Sequence, residues 1–125
     1  IYTMHGKKHD LVVLGGGPGG YVAAIRAAQL GMSVAIIEKE HLGGICLNWG
    51  CIPTKAMLKS AEVFSLINKA EAYGVSAGTT SFDLNKIVDR SKQIAAQLSS
   101  GVKYLLEKNK ITVINGVGTL MEIIM

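Results

Sequence analysis

The sequence holds only two cysteines in its 125 residues. A chain so poor in cysteine is not a disulfide-stapled scaffold, and its pair stands close together as Cys46-x-x-x-x-Cys51, bracketed by glycines. A lone short-range pair fits redox work better than stapling. A dense run of one charge is also missing. Thirteen Lys and Arg against nine Asp and Glu give a net charge of +4 and a pI of about 9.1, but the cations are scattered along the whole length. That scatter argues against a nucleic-acid partner. Apolar runs are broken by Gly or charge well short of the roughly 20 residues a membrane span needs, and Ile1–Asp10 carries no signal-peptide-like hydrophobic stretch. What remains is a chain with 49% hydrophobic residues, enough for one domain with a real core in a reducing compartment. It begins at Ile1 and stops within the apolar Ile123-Ile124-Met125, which points to a piece of a longer polypeptide.

Residues 1–9 read as a polar tail; His5 and His9 lie in it without partners at metal-ligand spacing, so no metal site is expected. From residue 10 the pattern is α/β. Asp10–Leu14 is a short apolar run of the kind found in a strand buried on both faces of a parallel sheet. It runs into Gly15-Gly16-Gly17-Pro18-Gly19-Gly20, after which Tyr21–Leu30 reads as an alanine-rich helix closed by Gly31. Ser33–Ile37 is a second strand with Glu38 at its end. The glycine pattern alone is weak. Set between a strand and a helix, with an acid following the next strand, it specifies dinucleotide binding: Gly15 makes the tight turn, Gly17 admits a pyrophosphate, Gly20 lets helix pack on strand, and Glu38 accepts from a ribose hydroxyl.

The cysteine stretch Gly43–Lys55 is the second motif. In a regular helix a five-residue step rises about 7.5 Å and turns about 140°, beyond disulfide reach, so a bonded pair demands a distorted or non-helical turn, freed at Gly50, with Pro53 early in the helix that follows. Cys46 would then precede that helix and face substrate, while Cys51 near its start would gain from the helix dipole as a thiolate. Lys55 adds a cation. The connection from Glu38 to Cys46 spans up to about 26 Å when extended, enough to run from the adenosine end of a dinucleotide to its redox end. A disulfide exchanging two electrons suits a flavin neighbour. Beyond this, Met57–Tyr73 reads as an amphipathic helix with Leu58, Ala61, Phe64 and Ile67 on its apolar face, and Gly74–Phe82 as a polar loop with room for a short edge strand. Asp83 caps a long helix to about Lys108, whose buried stripe runs through Leu84, Ile87, Val88, Ser91, Ile94, Ala95, Leu98, Val102 and Leu105. Ile111–Ile114 returns as a third parallel strand, with Gly116-Val117-Gly118 at its carboxyl end, where ligands of such sheets bind.

With Gly15–Gly20 and Glu38, the Gly43–Lys55 stretch resembles the amino-terminal FAD-binding segment of the flavin-dependent pyridine nucleotide–disulfide oxidoreductases, and its Ile52-Pro53-Thr54-Lys55 ending looks like their lipoamide branch. The resemblance covers Asp10–Leu120 and implies a truncated Rossmann-like FAD/NAD-binding fold, a partial FAD-binding domain over residues 10–125. It assigns Cys46 as the interchange thiol, Cys51 as the charge-transfer thiol against the flavin, and Lys55 as the cation near the ring. FAD contacts would come from Gly15, Gly17, Pro18, Gly19, Gly20, Glu38, Lys39, Gly43, Gly44, Ile45, Cys46, Lys55 and the Gly118 backbone. Ile45 and Trp49 depart from the family's commonest wording, a frequent Thr and a smaller residue. The implied full-length enzyme is a homodimer that oxidises dihydrolipoyl groups with NAD⁺. Its partner is the lipoyl-bearing component of a 2-oxo acid dehydrogenase or glycine cleavage complex, in bacterial cytoplasm or mitochondrial matrix. The NAD domain and the interface domain with its His–Glu acid–base pair would lie outside these residues, and His41 reads as a loop histidine near the cofactor and not as their substitute. Runner-up readings are a glutathione- or mercuric-type reductase and a dinucleotide-binding fragment whose cysteines never cycle. The 125 residues alone are expected to hold FAD poorly and to be inactive, because flavin contacts and the base lie outside them.

Overall fold

The computed structural model describes residues 8–120; most of the expected polar tail, His5 included, lies outside them. The described chain runs β1 (Leu11–Leu14), α1 (Pro18–Gln29), β2 (Val34–Glu38), α2 (Gly44–Asn48), α3 (Cys51–Asn68), a short 3-10 turn (Ala70–Tyr73), α4 (Leu84–Lys108) and β3 (Thr112–Asn115). The expected α/β architecture is present. The three strands form one parallel sheet in the order β1-β2-β3, with Val13 opposite Ile36 and Ile36 opposite Val113. Parallel neighbours require crossovers, supplied by α1 between β1 and β2 and by the α2–α4 segment between β2 and β3.

Alternation along each strand divides the sheet into two faces. Val34 and Ile36 of β2, Ile111 just before β3, and the half-buried Leu11, Val13 and Val113 pack with Ala24 and Ala27 of α1, Leu47 of α2, and Val102 and Leu106 of α4. All the core helices therefore sit on one face. On the other, Val12 and Leu14 remain 48% and 46% exposed. This corrects the expectation that β1 is buried on both faces: among the described residues β1 is an edge strand, and the fully buried pattern belongs to central β2, whose Val34, Ala35, Ile36 and Ile37 are all buried. After β3 the chain turns onto the open face, where a Cβ on Gly118 would come 2.5 Å from Leu14 and 3.2 Å from Ile37.

The helical hairpin needs two further corrections. α3 begins at Cys51 and ends at Asn68, earlier at both ends than the predicted Met57–Tyr73. Its contact row is the half-buried Ile52, buried Ala56, and half-buried Ser60 and Phe64, whereas Leu58 is 62% exposed. On α4, Ser91, Ala95 and Val102 are buried as expected, but Leu106 takes the place of Leu105, and Leu84 and Leu98 stay exposed. Small side chains decide this: Ala56, Ser91 and Ala95 let the helices approach closely, and an Arg90 guanidinium N–H reaches the Ala56 carbonyl at 3.0 Å. Asp83 caps α4, its carboxylate accepting from the Lys86 N–H at 3.2 Å. Gly74–Phe82 forms no strand.

Candidate redox and dinucleotide site

The glycine turn at the carboxyl end of β1 is shaped by close backbone approach. The Gly15 N–H donates to the Ile37 carbonyl at 2.8 Å, tying the start of the turn to β2. A Cβ on Gly20 would overlap the Gly15 carbonyl oxygen and press on Val13, so this helix packs on this strand only with glycine there. Nothing lies within 4 Å of where a Cβ would stand on Gly17 or Gly19. α1 starts at Pro18, earlier than predicted, so the last glycines form its first turn. That first turn holds no acidic residue and no side-chain cap, leaving N–H groups that point out of the helix end. Open space above Gly17 and uncapped helix N–H groups fit a pyrophosphate.

Glu38 fixes the far wall. One carboxylate oxygen accepts from the Gly16 N–H at 2.6 Å and the other from the Glu40 N–H at 2.8 Å. Partial burial pushes this carboxyl upward, but the backbone N–H groups of Glu40, Gly16 and Lys39 and the Lys39 ammonium outweigh it and hold Glu38 below its ordinary value. The carboxylate is therefore ionised and oriented, with lone pairs left over for a hydroxyl donor. Lys39 itself is exposed and 3.7 Å from Glu40.

Past Glu38 the chain folds back over the glycine turn. The Gly43 N–H donates to the Gly16 carbonyl at 2.8 Å, and a Cβ on Gly44 would come 2.8 Å from the Gly17 Cα. Two backbones meet here, and a side chain would part them. α2 then carries Cys46 and α3 opens with Cys51. The two are joined in a disulfide with their Cα atoms 4.8 Å apart. The helix breaks between them, at Trp49 (φ −135°, ψ 1°) and Gly50 (φ −120°, ψ −110°). The predicted distortion at Gly50 and the early Pro53 are both found. Cys46 precedes that helix as expected, and it lies inside a one-turn helix of its own, because the break takes only two residues. Cys46 is half-buried and Cys51 exposed at the first position of α3, with exposed Lys55 one turn further on the same side. Ile45 is 76% and Trp49 55% exposed, and the Trp49 ring packs edge-on against His41 at 5.2 Å. Trp49 is thus no core residue.

Two hydrogen-bonding side chains around this turn escape sequence reasoning. Asn48 donates from Nδ2 to the Leu42 carbonyl at 3.1 Å and the Gly44 carbonyl at 3.0 Å. Ser99, on α4, donates to the same Leu42 carbonyl at 2.9 Å. A polar residue on the inner side of the cysteine loop is a readable signal for Asn48; Ser99 has none, being 57 residues from its partner. Gly118, packed on Leu14 and Ile37, lies at the same carboxyl end of the sheet as the glycine turn. Among the described residues no three His, Cys, Asp or Glu gather in a metal-binding group, and no helix is long and apolar enough to cross a membrane.

Comparison with known proteins adds a family to this geometry. The profile of the pyridine nucleotide-disulphide oxidoreductases matches residues 9–122. A dihydrolipoyl dehydrogenase of Zymomonas mobilis is 65% identical over 111 residues, covering 89% of this chain and 24% of that protein. One of Acholeplasma laidlawii is 54% identical over 115 residues, covering 91% of this chain and 34% of its own length. In three dimensions the chain superimposes on the crystal structure of LpdA from Mycobacterium tuberculosis with a TM-score of 0.81 at 30% identity, over 90% of this chain and 24% of that one. The chain thus spans about a quarter to a third of the length of these relatives.

Proposed function

We infer that this chain, which belongs to the pyridine nucleotide-disulphide oxidoreductase family, is the flavin-binding, disulfide-carrying part of an enzyme that oxidises dihydrolipoyl groups and passes the electrons to NAD⁺. One observation carries the reading: the bonded Cys46–Cys51 pair is seated on the glycine turn through Gly43 and Gly44. The redox sulfurs and the dinucleotide cradle are thereby one unit. The relatives' shared name, dihydrolipoyl dehydrogenase, supports the lipoyl substrate over glutathione or mercuric ion.

In the proposed cycle a dihydrolipoyl thiolate attacks the Cys46 sulfur. The Cys46–Cys51 bond breaks and Cys51 leaves as a thiolate, stabilised at the amino end of α3 and by the Lys55 ammonium. The second lipoyl thiolate then attacks the lipoyl sulfur joined to Cys46, which closes the lipoyl disulfide and releases Cys46 as a thiolate, free to take up a proton given up by the lipoyl thiols. Two electrons now rest on the cysteine pair. FAD, when bound, supplies a two-electron acceptor able to hand them to NAD⁺. Gly15–Gly20 and the first turn of α1 would hold its pyrophosphate, and Glu38 a ribose hydroxyl. Lys39, Gly43, Gly44, Ile45 and the Gly118 backbone would line the rest. Residues 10–125 would thus form part of the FAD domain. The NAD site, the acid–base pair and the dimer contacts would belong to the remainder of the full-length protein. A lipoyl-bearing subunit of a multienzyme complex is the proposed partner, and bacterial cytoplasm or mitochondrial matrix the proposed location.

Cys51→Ser in the full-length protein tests the assignment. Lipoamide turnover is expected to fall to background while FAD stays bound, as read from flavin absorbance after gel filtration. Turnover within tenfold of wild type would refute the role given to Cys51.

A further inference from the structure

We propose that Asn48 and Ser99 form a clamp on the Leu42 carbonyl that keeps the Cys46 and Cys51 sulfurs paired while they are reduced, and so sets how readily the disulfide is broken. The need for a clamp follows from α2 itself. It is a single helical turn, Gly44–Asn48, with no side-chain cap and a glycine at φ 96° before it. Helices this short do not hold themselves together. While the disulfide is closed, the bond does so. Once two electrons enter and the S–S bond opens, that covalent tie is gone, yet Cys46 must stay beside Cys51 for the pair to close again.

The side chain of Asn48 replaces the missing tie. Its Nδ2 bridges the carbonyls of Leu42, ahead of the helix, and Gly44, its first residue, at 3.1 and 3.0 Å. Both are gripped from the last turn of the helix that carries Cys46. Ser99 anchors the Leu42 carbonyl to α4 at 2.9 Å, and α4 is fixed in the core through Val102 and Leu106. The next residue, Gly43, donates to Gly16 of the glycine turn at 2.8 Å. A rigid helix, the redox turn and the dinucleotide cradle therefore meet at one peptide. Neither side chain touches a sulfur, so both are positioning residues. Holding two thiols in place prepays the entropy of ring closure. Releasing them lets the dithiol relax, and the equilibrium moves toward the reduced pair.

The proposal rests on the reading of Cys46–Cys51 as a cycling pair, and its test needs neither flavin nor lipoamide. The full-length protein is equilibrated anaerobically with graded ratios of reduced to oxidised dithiothreitol. Dithiothreitol's two thiols close to a cyclic disulfide as the protein S–S bond opens to two thiols, so electrons and protons balance. The reduced fraction is read by alkylation and mass spectrometry. Asn48→Ala is expected to shift the midpoint ratio about tenfold toward reduction, equal to about 30 mV, and Ser99→Ala about threefold, while Ser99→Thr, which keeps the hydroxyl, stays near wild type. Asp83→Ala, at the far end of α4, lowers thermal stability without moving the midpoint, which separates the clamp from general loosening. If Asn48→Ala fails to fold, the Ser99→Ala and Ser99→Thr pair decides the matter. Midpoints for Asn48→Ala and Ser99→Ala that coincide with wild type overturn the clamp alone. A wild-type pair that stays bonded in excess dithiothreitol overturns both the clamp and the cycling disulfide beneath it.

Discussion

Gly20 is the glycine at which an added Cβ would meet backbone most closely, at the Gly15 carbonyl oxygen. Any side chain there would drive into the Gly15 carbonyl, so Gly20→Ala must separate α1 from β1. A loss of about 2 kcal/mol or more in denaturant unfolding is expected, whereas Gly101→Ala, in open space within α4, should raise stability by about 0.5–1 kcal/mol. Glu38 makes a prediction in pH. Its folded-state carboxyl lies below the ordinary value of 4.5, so its stabilising contribution is fully present above that value and is lost as pH falls through the lower, folded-state value. The stability difference between wild type and Glu38→Gln should therefore be constant through neutral pH and shrink in acid; a difference that grows on acidification would contradict the two N–H bonds assigned to this carboxylate. Both residues were legible in the sequence as motif positions. The bonds of Glu38 to Gly16 and Glu40 were not, because a motif names a ligand contact and is silent about what holds the side chain ready for it.

Elements were legible where local chemistry decides them and misread where packing does. Asp83 announced the start of α4 through its side chain, and the helix begins there. Asp83→Ala should cost about 1 kcal/mol, measured by chemical denaturation, and an unchanged midpoint would show that the cap contributes nothing. The contact row of α3 was misplaced because hydrophobic periodicity follows large side chains, while this helix meets α4 through Ala56 and its small neighbours. Ala56→Leu tests that account. It adds an apolar side chain yet should destabilise by about 1–3 kcal/mol through overpacking, whereas Leu58→Ala, on the exposed side, should change stability by less than about 0.5 kcal/mol. The strand that looked buried on both faces shows the same limit. Four apolar residues in a row fit β1 and β2 equally well, and only the strand order reveals which is central.

At the scale of the whole molecule, the sheet carries its core helices on one face and leaves Val12 and Leu14 half uncovered on the other. Parallel sheets are normally covered on both sides. The 125-residue chain should therefore bind a hydrophobic dye at this face, and Val12→Thr together with Leu14→Thr should reduce the fluorescence enhancement by half or more. It should also hold FAD weakly and show no lipoamide turnover, since the relatives are three to four times its length and it supplies one wall of the proposed site. The most direct test of the central claim uses the FAD-loaded full-length protein, titrated without oxygen with dihydrolipoamide and quenched with an alkylating agent after one equivalent. Labels on Cys46 and Cys51, absent from the untreated enzyme, are the predicted result; consumption of the equivalent with these two sulfurs still bonded to each other would contradict it.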